Sequence, residues 1–186
     1  MIAAVGARSG AQPAAGAPSC LQRFLIAGCL ALLLGILGAF ARLWQTGGMA
    51  ANKTDFVPYY SVARMVMAGH GRLMYALKPL GSLETTLVRP LHVKDGVMPY
   101  LYPPHFAFLL APLARLPLNL AFAAWLLINL CLLAASLRLL QRSSGVTGWD
   151  ALVLWLAGCS FFPVLLALAQ GQTSILLLAL LTVALV

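Results

Sequence analysis

Long apolar runs, separated by polar connections, make up most of this chain. Residues 24–41, 116–137 and 151–186 are apolar stretches that carry no charged residue. Runs of about 18 or more apolar residues are long enough to cross the hydrocarbon core of a bilayer as helices. The pattern therefore predicts an all-α, polytopic membrane protein.

Three spans are predicted, at Leu21–Trp44, Leu116–Leu140 and 151–169. Gly158 and Pro163 are expected to bend the third one. The polar segment Gln170–Ser174 interrupts the apolar sequence before a last run that starts at Ile175. That run reaches Val186 after only 12 residues, which is too short to cross. We therefore expect residues 21–186 to be the N-terminal portion of a longer membrane domain.

Two regions lie outside the spans. Residues 1–20 are rich in alanine and glycine without an apolar period, which predicts a disordered tail. Residues 45–104 form a polar connection that holds three of the four acidic residues. Within it, an apolar residue recurs at helical spacing between Pro58 and Gly69, which predicts an amphipathic helix lying along the membrane surface. Tyr60 and Arg64, four residues apart, are expected to share its other face.

The apolar stretch Phe106–Ala114 is too short for a span, so it either dips into the membrane and returns or crosses with help. We favour the dip. If Arg8 and Arg23 are cytoplasmic, the 45–104 connection lies outside, as the positive-inside rule allows for a long loop. A full crossing of Phe106–Ala114 would place Arg138 and Arg142 outside and the Gln170–Ser174 break inside. With the dip, the next span runs inward and both arginines end in the cytoplasm. The Gln170–Ser174 break then lies on the same side as Asp55.

Charge and cysteine content exclude several classes. The net charge of +8 comes from bases that flank apolar runs, not from a basic stripe interleaved with aromatic residues. This favours contact with membrane lipids over nucleic acid. The four cysteines show no C-x-x-C spacing, and the histidines complete no metal-ligand pattern, so neither a metal site nor a cofactor is expected.

Asp55 is the most informative candidate for chemistry, because it follows the first span directly before the predicted helix. Two interpretations stay open. Its carboxylate could cap the helix by accepting hydrogen bonds from free backbone N–H groups. Alternatively, it could act as a general base that takes a proton from an acceptor hydroxyl at the membrane surface.

Five other side chains are candidates for substrate binding: Tyr60, Arg64, Tyr102, His105 and Gln172. Arg64 beside Tyr60 could hold a phosphate, or it could be an arginine that reaches the interface from a surface helix. Tyr102 belongs to the rigid Tyr-x-Tyr-Pro-Pro-His segment that ends at His105, and this histidine could bind phosphate or be structural. Gln172 could hydrogen-bond sugar hydroxyls, or it could belong to a tight turn between spans.

The order of several short motifs resembles the N-terminal half of glycosyltransferase family 87. The motifs are Asp55-Phe56, Tyr59-Tyr60, Ala68-Gly69, Met74-Tyr75, Tyr102-Pro103-Pro104, Pro112-Leu113, Leu116-Pro117, Trp125, Asn129 and Gly171-Gln172. The resemblance covers roughly residues 21–186. It implies a GT-C-type fold in the cell membrane.

The resemblance also implies an activity. Members of this type transfer a hexose, often mannose, from a polyprenyl-phosphate donor to a lipid or glycan acceptor at the external membrane face. They do so without a metal and with inversion at the anomeric carbon. Asp55 matches the position of the family's aspartate base. A transporter or lipid-handling protein that uses the Gln170–Ser174 break as a substrate path, and an inactive fragment, are the alternatives.

Overall fold

The computed structural model describes residues 17–45, 54–88 and 97–186, so most of the predicted N-terminal tail lies outside the described residues. Every regular element in these ranges is helical. The helices are α1 (Cys20–Gln45), α2 (Phe56–Met67), α3 (Leu77–Leu87), α4 (Pro104–Leu110), α5 (Leu118–Ser144), α6 (Gly148–Ser160), α7 (Phe162–Gln170) and α8 (Ser174–Leu185). Short 3₁₀ turns occur at Gly71–Leu73 and Leu113–Arg115. The all-α prediction is confirmed.

Two helices in the described ranges are long and apolar enough to cross a membrane. They are α5 and the part of α1 from Cys20 to Gly38. Helices α6 and α7 would form a third span together, bent by 46° between them. The bend falls at Phe161, whose backbone is extended, and Pro163 lies in the first turn of α7. Because a proline ring cannot fit inside a continuous helix, Pro163 accounts for the predicted break.

The candidate spans alternate in direction. Helices α1 and α6 pack side by side, and near their starts the Gln22 Nε2 donates to the Asp150 Oδ1 over 2.7 Å. Both helices therefore run toward the same side of the molecule. Helix α5, which lies between them in sequence, runs in the opposite direction. Helix α5 also packs along α8, which follows the turn at Gly171. Thus α7 ends on the same side of the molecule as α1.

Helix α2 ends close to the predicted stop, with Gly69 at a φ of +78° just after it. It does not lie on the surface with one open face, however. From Phe56 to Ala63 every residue is buried, and Arg64 is the first exposed one. Helices α3 and α4 and the Leu113–Arg115 turn pack around it. The prediction of a surface-lying amphipathic helix was therefore wrong in one respect. Helix α2 instead forms the centre of a small helical cap, which consists of α2, α3, α4 and the Leu113–Arg115 turn.

The helix after the prolines is too short to cross a membrane by itself. Helix α4 has 7 residues, which at 1.5 Å per residue gives a length of about 10 Å. It packs against α2, and the 3₁₀ turn after it leads directly into α5. This agrees with the dip and not with a crossing. Helix α3, which the sequence analysis did not identify, completes the cap.

Candidate active site

Asp55 and Gln172 meet, although 117 residues separate them in sequence. The Nε2 of Gln172 donates a hydrogen bond to the Oδ2 of Asp55 at 2.7 Å, and both side chains are half-buried. Asp55 stands at the N-cap position of α2, but its side chain makes no capping hydrogen bond. The capping hypothesis is therefore not what holds this carboxylate. The contact also confirms that the Gln170–Ser174 break lies on the side of Asp55.

The turn at Gly171 brings Gln172 into place. The φ of Gly171, +68°, is in the left-handed region that favours glycine. Its carbonyl accepts a hydrogen bond from the Trp125 Nε1 at 2.8 Å. A Cβ at this position would lie 2.9 Å from the Phe56 Cβ and 2.9 Å from the Phe122 ring. The turn therefore reaches the start of α2 because residue 171 has no side chain.

Three hydroxyl groups form a second polar cluster next to this pair. The Tyr59 and Tyr102 hydroxyl oxygens are 2.8 Å apart, and the Thr173 hydroxyl lies 3.3 Å from that of Tyr102. Tyr75 supports the same segment by donating to the Tyr102 carbonyl at 2.8 Å. We call Tyr59, Tyr102 and Thr173 the hydroxyl triad. Its members come from α2, the proline segment and the Gly171 turn.

The surroundings of Tyr59 and Tyr100 favour the protonated form of each phenol. Burial raises the pKa of Tyr59 far above its ordinary value of 10, and the hydrogen bond with Tyr102 and the nearby Asp55 carboxylate act in the same direction. Burial also raises the pKa of Tyr100 to about 12. Since the Asp55 charge affects Tyr59, the carboxylate and the hydroxyl triad share one electrostatic environment.

Tyr60 is not available in the way the sequence suggested. Its side chain is buried, and its hydroxyl donates to the Leu116 carbonyl at 2.7 Å. The Arg64 guanidinium carbon lies 6.0 Å from the centre of the Tyr60 ring, at the outer limit of a cation–π contact. The two are neighbours as predicted, but the Tyr60 hydroxyl ties α2 to the start of α5 and does not face solvent with Arg64.

Arg64 and His105 are exposed. Within the described residues, no hydrogen bond joins either side chain to Asp55, Gln172 or the hydroxyl triad. The structure thus unites Asp55, Tyr102 and Gln172 of the predicted site and leaves Arg64 and His105 apart from them. The described ranges also hold no cluster of three or more His, Cys, Asp or Glu side chains suited to a metal ion.

Sequence reasoning missed the roles of Tyr59 and Thr173. Tyr59 was assigned to the apolar face of its helix, which is where it packs, but its hydroxyl takes part in the hydroxyl triad. Thr173 was seen as part of a turn. The signal that was available is that Tyr59 adjoins Tyr60 and Thr173 adjoins Gln172, which are both candidates already singled out.

Comparison with known protein families supplies the decisive observation. Residues 100–186 match the model of glycosyltransferase family 87. Just under half of the chain is therefore similar to this family. Searches among curated proteins and solved structures gave no significant match. The sequence resemblance is confirmed over the matched residues, and the apolar helices are consistent with a membrane protein.

The family 87 segment contains Tyr102, Gly171, Gln172 and Thr173, whereas Asp55 and Tyr59 lie before it. The 2.7 Å bond from Gln172 to Asp55 joins the two parts. A carboxylate outside the matched segment is therefore held by a side chain inside it.

Proposed function

We propose that this protein is a membrane hexosyltransferase. In this proposal it moves a hexose, mannose in the first instance, from a polyprenyl-phosphate donor to a lipid or glycan acceptor. The reaction takes place at the external face of the cell membrane and needs no metal. The observation that supports it most directly is the hydrogen bond that ties Asp55 to the glycosyltransferase family 87 segment.

Asp55 has the chemistry of a general base. An amide N–H holds one carboxylate oxygen in place, and an amide, unlike an arginine, fixes a carboxylate without cancelling its charge. As the acceptor hydroxyl attacks the anomeric carbon, Asp55 takes its proton. The bond from that carbon to the phosphate oxygen breaks, and polyprenyl phosphate leaves with the bonding electrons. One displacement inverts the anomeric centre, and water later removes the proton from Asp55.

The departing phosphate needs positive charge or hydrogen-bond donors on the far side of the sugar from the base. Arg64 and His105 remain the candidates, because both are exposed and neither belongs to the network around Asp55. Tyr60 contributes through its ring beside Arg64, since its hydroxyl is used by Leu116. Separation from the base suits groups that stabilise a leaving group.

The family match also favours the transferase over the transporter that the broken element left open. The Gly171 turn, which in a transporter would line a substrate path, is closed by contacts with Phe56, Phe122 and Trp125. It positions Gln172 instead.

Replacement of the base tests the function. The full chain, in native membranes, is supplied with radiolabelled polyprenyl-phosphate mannose and membrane lipid acceptors, and labelled product is separated by chromatography. Asp55→Asn keeps an oxygen for Gln172 to bond but removes the base, and we expect transfer to fall about 10²- to 10⁴-fold. EDTA should leave the wild-type rate unchanged.

Asp150→Asn is the matched control, because Asp150 bonds Gln22 at the other end of the molecule. Its transfer rate should stay close to that of the wild type. Transfer that survives in Asp55→Asn would refute the base assignment. A wild-type protein that transfers hexose from no polyprenyl-phosphate donor would refute the function itself.

A further inference from the structure

The hydroxyl triad has one more hydroxyl proton than its internal hydrogen bonds use. Tyr59, Tyr102 and Thr173 carry one hydroxyl proton each. The cluster contains two mutual hydrogen bonds, one between Tyr59 and Tyr102 and one between Thr173 and Tyr102. Each bond uses one proton, so the third must find an acceptor elsewhere, whichever way the individual bonds point. In the described parts of the chain the three hydroxyls make no other hydrogen bond.

The third proton belongs to one of the two more exposed side chains of the cluster. Tyr59 is only 3% exposed, and a buried hydroxyl that fails to donate is costly, so its proton goes to Tyr102. The remaining proton then resides on Tyr102 or on Thr173. Both of these side chains are half-exposed, like Asp55 and Gln172. The triad therefore has a single free O–H donor on a partly exposed side chain, and Thr173 is the direct neighbour of the Gln172 that bonds Asp55.

The nature of the acceptor follows from the charge nearby. The Asp55 carboxylate is close enough to act electrostatically on Tyr59. A phosphate placed at the triad would be repelled by that carboxylate, and a phosphate leaving opposite the base would be too far away. A sugar hydroxyl is a neutral oxygen that can accept one hydrogen bond and also donate to a carboxylate, and a hexose is the substrate of the proposed reaction.

We propose that the hydroxyl triad is a sugar subsite, which donates one hydrogen bond to a hydroxyl oxygen of a hexose bound beside Asp55. This rests on the proposed function, and it names the chemistry that the site recognises. The hexose belongs either to the donor lipid or to a glycan acceptor. Thr173 and Tyr102 are the residues that touch it, and Tyr59 positions Tyr102.

Binding measurements separate these sources. The full chain in lipid nanodiscs is titrated with a short-chain polyprenyl-phosphate mannose and, separately, with the same polyprenyl phosphate lacking the sugar. Tyr102→Phe and Thr173→Val remove donors from the triad, and Thr173→Ser keeps one. Tyr75→Phe is the matched control: it also loses a phenol hydroxyl that bonds the Tyr102 segment, but through the backbone carbonyl and outside the triad.

We expect Tyr102→Phe and Thr173→Val to weaken binding of the sugar-bearing lipid about fivefold, as for one lost hydrogen bond. Binding of the sugar-free lipid should not change, and Thr173→Ser and Tyr75→Phe should bind both like the wild type. If both lipids bind normally and the KM for a glycan acceptor rises instead, the subsite holds the acceptor sugar.

Two results would overturn the subsite. One is an equal loss for both lipids, which would indicate a structural role or a phosphate contact. The other is no change in either lipid or in the acceptor KM. Transfer that persists in Asp55→Asn would refute the base while leaving the sugar-dependent difference intact, so the two proposals fail separately.

Discussion

At the scale of single residues, the partner of Asp55 decides what this carboxylate can do. A lysine or arginine at position 172 would hold it more strongly but would favour its charged form and weaken it as a base. The Gln172 amide orients the carboxylate without contributing a charge. In the proposed reaction, the glutamine therefore acts as a positioning residue for a base that still has to accept a proton.

Substitution of Gln172 tests this role. Gln172→Leu removes the hydrogen bond at similar size, and we expect kcat to fall about tenfold with little change in the donor KM. Gln172→Glu places a second carboxylate beside Asp55, which favours protonation of the pair. The acid limb of the pH–rate profile should then move to higher pH.

Gln170→Leu is the control, because Gln170 lies two residues earlier in the same segment and makes no side-chain hydrogen bond within the described residues. It should leave kcat and the pH profile as they are. An unchanged kcat in Gln172→Leu would show that Asp55 is positioned by something else.

At the scale of elements, the turn between α7 and α8 carries the site. Gly171 and Gly145 have the same φ of +68°. They differ in their surroundings: a Cβ at Gly145 meets nothing within 4 Å, whereas a Cβ at Gly171 collides with Phe56 and Phe122. The pair therefore separates backbone strain from the cost of close packing.

Replacing each glycine by alanine measures the cost of backbone strain and the cost of close packing. Gly145→Ala should lower the free energy of unfolding by about 1–2 kcal/mol, the cost of a left-handed backbone. Gly171→Ala should cost more, because the turn must also move away from α2, and it should reduce transfer by displacing Gln172. Thermal unfolding of detergent-solubilised protein gives the first quantity. Equal losses for the two variants would show that the contact with Phe56 is not tight.

Helix α3 offers a prediction about pH. Glu84 is 4% exposed, its Oε2 accepts from the Met98 N–H at 3.0 Å, and its Oε1 has no partner among the described residues. Burial raises the pKa of Glu84 above its ordinary value of 4.5. The folded state thus holds this proton more tightly than the unfolded state does.

The linkage has a definite sign. Stability from the protonated carboxyl is fully present below pH 4.5 and is lost as the pH rises through the raised pKa of Glu84. Glu84→Gln cannot ionise, so its Tm should fall less than that of the wild type over this interval. Parallel Tm profiles for the two proteins would contradict a raised pKa. Thr85→Ser, at an exposed neighbour, should follow the wild type.

How far the sequence predicts these elements depends on how local their causes are. Helix α2 and its end follow from apolar periodicity and Gly69, and the α6–α7 bend follows from Pro163. Helix α3 contains Pro79 and Gly81, which weaken its intrinsic propensity, and it depends on packing of the fully buried Leu80. That support is tertiary, so no local pattern signals it.

The candidate site shows the same limit. Asp55, Tyr102 and Gln172 were found because each interrupts or borders an apolar run. The contacts of these residues could not be found in this way, because the hydrogen bonds of Tyr102 with Tyr59 and Thr173 join residues 43 and 71 positions apart. The phenol of Tyr60 was placed on the wrong side because the spacing that pairs it with Arg64 says nothing about the Leu116 carbonyl.

At the scale of the whole molecule, the fold fixes which polar segments share a side. The cap helices and the Gly171 turn belong together, and the end of α5 near Ser143 is expected on the opposite side. This can be tested by cysteine labelling in a background with Cys20, Cys29, Cys131 and Cys159 replaced by serine or alanine. His70→Cys, Ser174→Cys and Ser143→Cys all place the thiol at exposed positions.

A membrane-impermeant maleimide added to intact cells should label residues 70 and 174, and should label residue 143 only after permeabilisation. Labelling of 70 and 174 from different sides would contradict the fold. Labelling of both from the cytoplasmic side alone would leave the fold standing and would refute the external placement of the reaction.

The bond between Asp55 and Gln172 also orders events during biosynthesis. Asp55 leaves the ribosome 117 residues before its partner. At 5–20 residues per second this gap lasts roughly 6 to 23 seconds. The first span is complete before this interval and the cap helices are made during it, whereas the turn that positions the carboxylate is made only at its end. The Asp55 carboxylate is therefore present in the nascent chain long before Gln172 can orient it. A chain released before residue 172 is made lacks the arrangement on which the proposed transfer depends.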